Sequence, residues 1–69
     1  MIYRTVQNAY KLLKEKDPNT DITEYLIRKL AQQEKVNVIK TGDKLLVDVD
    51  SIVDLLNGVE FTPKIIKVA

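Results

Sequence analysis

Ile22-Thr23-Glu24-Tyr25-Leu26-Ile27-Arg28-Lys29-Leu30 is followed, five residues on, by Val36-Asn37-Val38-Ile39-Lys40-Thr41-Gly42-Asp43-Lys44-Leu45-Leu46-Val47-Asp48-Val49. These two runs differ in period. In the first, Ile27, Leu30, Ala31 and Glu34 fall on one helical face with Leu26 beside it, while Glu24, Tyr25, Arg28, Lys29, Gln32 and Gln33 fall on the other. In the second, Val36, Val38 and Lys40 alternate with Asn37 and Ile39, and Thr41-Gly42-Asp43 separates them from another β-rich run, Leu45 to Val49. A short run, a Gly-containing turn and a second run read as a β-hairpin. The helix has two candidate starts. Asp21 could cap it, with Glu24 closing a capping box. Thr23 could cap it instead, with Ile22 and Ile27 forming a hydrophobic staple. The staple uses both isoleucines, so Thr23 is preferred.

Val6, Ala9, Tyr10 and Leu13 make one face of an earlier helix over residues 5–16, widened by Leu12, with Thr5 as its N-cap. Asp17-Pro18-Asn19-Thr20 stops it, because Pro18 disfavours helical backbone at Asp17 and Asn19 suits a turn. Beyond the hairpin, Asp50 suits the N-cap of a third short helix, Ser51 to Asn57, with Gly58 just past its end. Ile22, Ile27, Leu30, Val47 and Ile52 are the expected core. Residues 59–69 show no clear element, yet Phe61, Ile65, Ile66 and Val68 are too apolar for a free tail. Folding back on the domain as an extended strand is the preferred role for this segment, and docking on a second copy is the rival.

The chain has 69 residues, 11 Lys plus Arg and 10 Asp plus Glu, for a net charge of +1, with no Cys and no His. One domain is expected, residues 1–58, with residues 59–69 packing on it or on a partner. Lack of Cys and His removes disulfides, thiolate metal sites and the commonest general base. Asp48, Asp50 and Asp54 read as capping and solvated residues rather than a cation site, since no calcium-loop spacing is present. No metal, no cofactor, no enzymatic centre and no small-molecule substrate are expected. Apolar runs reach three residues at most, so no membrane span is expected, and the amphipathic start without a secretory pattern suggests a cytoplasmic protein. With so little net charge, nucleic-acid binding would require charge sorted onto one face.

Two helices followed by a hairpin is the order of a winged helix-turn-helix. Thr5 to Leu13 resembles the opening helix of small excisionase-like, MerR-like winged helix-turn-helix DNA-binding proteins of phages and mobile elements in Gram-positive bacteria. Ile22 to Leu30 resembles their recognition helix, and Lys40 to Asp50 their wing and the start of their last helix. The resemblance covers residues 5–57. It departs from the family pattern in the long linker from Asp17 to Asp21, in Lys35 where many members have Gly, and in Asp43 where a basic wing tip is more usual.

The resemblance implies an α+β fold and a double-stranded DNA partner, with a second copy or a recombinase as protein partner. Its groove-facing positions fall on Thr23, Tyr25, Arg28 and Lys29, and its wing positions on Lys40, Thr41, Gly42 and Lys44. Gln32 lines up with Tyr25 and Arg28 at helical spacing and joins the expected DNA-binding set. Arg28 has the chemistry for a bidentate contact to a guanine edge. Lys40 and Lys44 serve equally well as phosphate contacts or as guards of an exposed strand edge. The implied role is an excisionase-like architectural factor or transcriptional regulator. A protein-interaction module that keeps the fold without binding DNA is the alternative, favoured by the near-neutral charge and Asp43.

Overall fold

The computed structural model describes residues 2–68. Its elements run β1 (Tyr3–Thr5), α1 (Val6–Lys16), α2 (Glu24–Gln32), β2 (Val38–Thr41), β3 (Lys44–Asp48), α3 (Val49–Leu56) and β4 (Ile65–Val68). Among the described residues this is an α+β arrangement of three helices and one four-stranded sheet, ordered β1-β3-β2-β4. β3 is antiparallel to both β1 and β2, whereas β4 lies parallel to β2, with Val38 opposite Ile65 and Thr41 opposite Val68.

Local chemistry sets the helix ends. The Thr5 hydroxyl accepts from the Asn8 amide, and α1 stops at Asp17, whose carboxylate accepts from the Asn19 amide at 3.1 Å beside Pro18. The Thr23 hydroxyl accepts from the Leu26 amide at 3.1 Å, and Ile22 and Ile27 are both buried. The second helix therefore begins from Thr23, with its staple closed. At its far end the Glu34 amide donates to the Ala31 carbonyl and the Lys35 amide to the Leu30 carbonyl. This is a Schellman end, and its left-handed residue is Glu34, at φ 56°, rather than Lys35. The hairpin closes over Gly42 and Asp43, with Thr41 paired to Lys44 and Gly42 at φ 49°, the sign a primed turn requires of its first central residue.

Boundaries differ from the sequence reading at the start of β2 and at the passage from β3 to α3. β2 begins at Val38 rather than Val36. The third helix begins at Val49 rather than Ser51, and its N-cap is Asp48 rather than Asp50. Asp-Val-Asp offers an acceptor at two successive candidate positions, and the inner one is taken because its carboxylate also bonds elsewhere. β1 has no counterpart in the sequence reading, and residues 65–68 form β4.

Val6, Ala9 and Leu13 of α1, Ile22, Ile27 and Ala31 around α2, and Val36, Val38, Val47, Val49 and Ile52 make one buried cluster. Each buried Val or Ile contributes roughly 1.5–3 kcal/mol over exposure. Leu30, expected in this core, is only half-buried and packs against its rim.

A buried polar junction ties the elements together. The Asp48 carboxylate accepts from the Ile2 amide (3.1 Å), the Asn37 side-chain amide (3.0 Å) and the Asp50 amide (3.1 Å). The Asn37 amide donates to Ser51 Oγ, which donates to the Asp48 carbonyl, and Asn37 Oδ1 accepts from the Lys64 amide at 2.7 Å. Asn37, Asp48 and Ser51 are all buried, and among the described residues no buried side-chain nitrogen or oxygen lacks a partner. The junction joins the start of β1, the approach to β2, the cap of α3 and the start of β4. No helix of the described residues is long and apolar enough to cross a membrane.

Candidate nucleic-acid interface

The core-facing side of α2 is set by Ile27 and Ala31, so helical geometry turns Tyr25, Lys29 and Gln32 outward together. All three are exposed, Tyr25 to 70%. The Lys29 ammonium lies 6.0 Å from the Tyr25 ring centre, a cation–π contact between neighbouring turns. An aromatic ring exposed this far, with a cation beside it and an amide one turn on, offers stacking, charge and hydrogen bonding on one stripe.

Arg28 is exposed too, but it sits on the flank of the stripe. It walls a cleft of about 370 Å³ together with Thr5 and Gln7 at the start of α1 and Asp43 and Lys44 of the β2–β3 hairpin. β1 makes this meeting possible. By pairing Thr5 with Leu46, antiparallel to β3, it leads the first turn of α1 toward the turn end of the hairpin.

The remaining expected residues do not join that group. Thr23 spends its hydroxyl lone pair on the Leu26 amide. Lys40 is half-buried on β2, its ammonium 3.7 Å from the Glu34 carboxylate. Thr41 is half-buried in the hairpin ladder opposite Lys44. The structure thus gathers Tyr25, Lys29 and Gln32 on one stripe and Arg28 with Lys44 in one cleft, while Lys40 answers to Glu34.

Gln7 and Thr5 had no place in the sequence-derived set. Their approach to the β2–β3 hairpin depends on a three-residue strand whose partner lies about forty residues along the chain, which leaves no local signal. Among the described residues no group of three or more Asp or Glu side chains is placed to hold a metal ion. No family model, curated protein or solved structure matches the chain.

Proposed function

We propose that the chain is a winged helix-turn-helix DNA-binding protein, an excisionase-like architectural factor or transcriptional regulator acting in the cytoplasm. α2 enters the major groove and the β2–β3 hairpin serves as the wing on the adjacent backbone. One observation carries the reading: the outward stripe of Tyr25, Lys29 and Gln32 stands free of packing directly beside a cleft shared by Arg28 and the wing residue Lys44. Single modules of this kind bury roughly 600–1,000 Å² on DNA, so cooperative binding or a protein partner would raise affinity.

The test is a fluorescence titration of random-sequence duplex at two salt concentrations. Binding that weakens steeply with salt is expected, because cations that replace condensed counterions release them. Absence of salt-sensitive binding to any duplex would remove the proposal. It would leave the protein-interaction module, a reading supported by the pairing of Lys40 with Glu34 and by Asp43 in the cleft.

A further inference from the structure

We propose that the cleft between α2 and the wing seats one backbone phosphate of the duplex, held by Arg28 and Lys44, and that Arg28 is therefore a docking residue rather than a base reader. The inference rests on the DNA-binding reading and divides its residues into two classes.

Two observations lead to it. Arg28 does not lie on the outermost stripe of α2, where Tyr25, Lys29 and Gln32 stand, but on the flank that walls the cleft with Gln7, Asp43 and Lys44. A sugar-phosphate backbone separates the major from the minor groove. With a helix in the major groove and a wing beyond it, that backbone must pass between the two elements. Among residues walling the space between α2 and the wing, Arg28 and Lys44 are the cations. A guanidinium and an ammonium suit a phosphate oxygen pair. Phosphate contacts fix register on the duplex and carry no sequence information, whereas base edges are met by whatever projects furthest into the groove. Here that is Tyr25, Lys29 and Gln32.

Asp43 gives the cleft a second property. Its carboxylate stands at the same wall as the two cations and repels the phosphate they attract. Asp43 therefore holds affinity for the phosphate down.

The test uses the full chain and a panel of labelled duplexes at about 50 and about 200 mM salt. Arg28→Ala and Lys44→Ala should each weaken binding to every duplex by the same factor, about 3- to 10-fold, and each should reduce the slope of log affinity against log salt by about 1. Arg28→Lys should recover most of the loss, because a phosphate accepts a point charge where a guanine edge needs the planar fork. Asp43→Asn should strengthen binding to all duplexes, by up to about 5-fold. Gln32→Ala should reorder the panel while leaving the salt slope unchanged. These residues are exposed, and melting curves matching wild type confirm that each variant is folded. If Arg28→Ala reorders the panel without changing the slope, or Arg28→Lys behaves like Arg28→Ala, Arg28 reads a base and the phosphate seat is wrong, although DNA binding stands. A wild-type chain with no salt-sensitive affinity for any duplex overturns the DNA-binding reading itself.

Discussion

Polar side chains gather at two places in this molecule and are held in opposite ways. At the base of the sheet, Asn37, Asp48 and Ser51 are buried, and their hydrogen bonds join four separate segments. On α2 and the β2–β3 hairpin, Tyr25, Arg28, Lys29, Gln32 and Lys44 are exposed, with a long cation–π contact between Tyr25 and Lys29. A buried polar group must be satisfied within the fold, so removing its partner costs the full desolvation penalty. An exposed one is solvated already and remains available to a ligand. Burial therefore ties one set of polar side chains into the architecture and leaves the other set solvated.

The comparison breaks first at Asp48. Asp48→Ala leaves the Ile2 and Asp50 amides and the Asn37 side chain without their acceptor. The expected loss is roughly 3–5 kcal/mol, enough to unfold most of a domain this small. Asp54→Ala, on the exposed face of the same helix, is the matched control and should stay within about 0.5 kcal/mol of wild type. Similar urea midpoints for the two variants would show that the junction does not hold the fold.

A smaller effect is expected from the strand that the junction anchors. Removing residues 63–69 deletes β4, the Lys64–Asn37 hydrogen bond and the packing of Ile65. The loss should be about 2–4 kcal/mol and should not depend on protein concentration. A melting temperature of the full chain that climbs with concentration, and loses that dependence on truncation, would mean that the segment acts between copies instead.

Two helix ends give a finer measure. α2 and α3 close with the same hydrogen-bond wiring, but the left-handed position is Glu34 in one and Gly58, at φ 77°, in the other. A Cβ at Gly58 would meet nothing within 4 Å, so Gly58→Ala isolates the backbone penalty and should cost about 1–2 kcal/mol. Glu34→Gly should stabilise by about 0.5–1 kcal/mol, because it relieves the same strain while giving up a surface ion pair with Lys40 worth about 0–1 kcal/mol. If both substitutions destabilise equally, the contact between Glu34 and Lys40 outweighs the strain.

These residues also mark how far the sequence can be read. Thr5 and Thr23, with the isoleucines beside Thr23, were legible because capping and stapling are local and repeat at fixed spacing. Gly42 was legible for the same reason. β1 was not, since three residues are too few to show a period. The fold-back of the tail as an extended strand was legible from its apolar residues, but the bounds of β4 and its pairing were not, because its partner β2 lies 27 positions away in sequence and no turn links them. The choice between Asp48 and Asp50 turned on a hydrogen bond to Asn37, which only the folded chain reveals. The candidate interface divides along the same line. Helical period put Tyr25, Lys29 and Gln32 on the outward face but also lined Arg28 up with Tyr25 and Gln32, whereas the meeting of Arg28 with Gln7 and Asp43 follows from β1.

The smallest expected effect lies at Tyr3, on the margin between the two polar regions. Tyr3 is half-buried in β1, opposite Asp48. Its phenol is pushed above the ordinary value of 10.0, first by burial, which penalises the phenolate, and second by repulsion from the Asp48 carboxylate. The folded state therefore holds the phenolic proton more tightly than the unfolded state. By linkage, this contribution is fully present below about pH 10 and is lost as pH rises through the folded-state pKa. The measurement that isolates Tyr3 is a difference. Melting temperatures of wild type and Tyr3→Phe should run parallel up to about pH 9.5, and above about pH 10 wild type should fall faster. The phenylalanine variant lacks this titrating group, so every other contribution is common to both curves. Curves that remain parallel through the alkaline range would mean that the Tyr3 hydroxyl is solvated in the folded protein, and that the influence of Asp48 ends at its own hydrogen bonds.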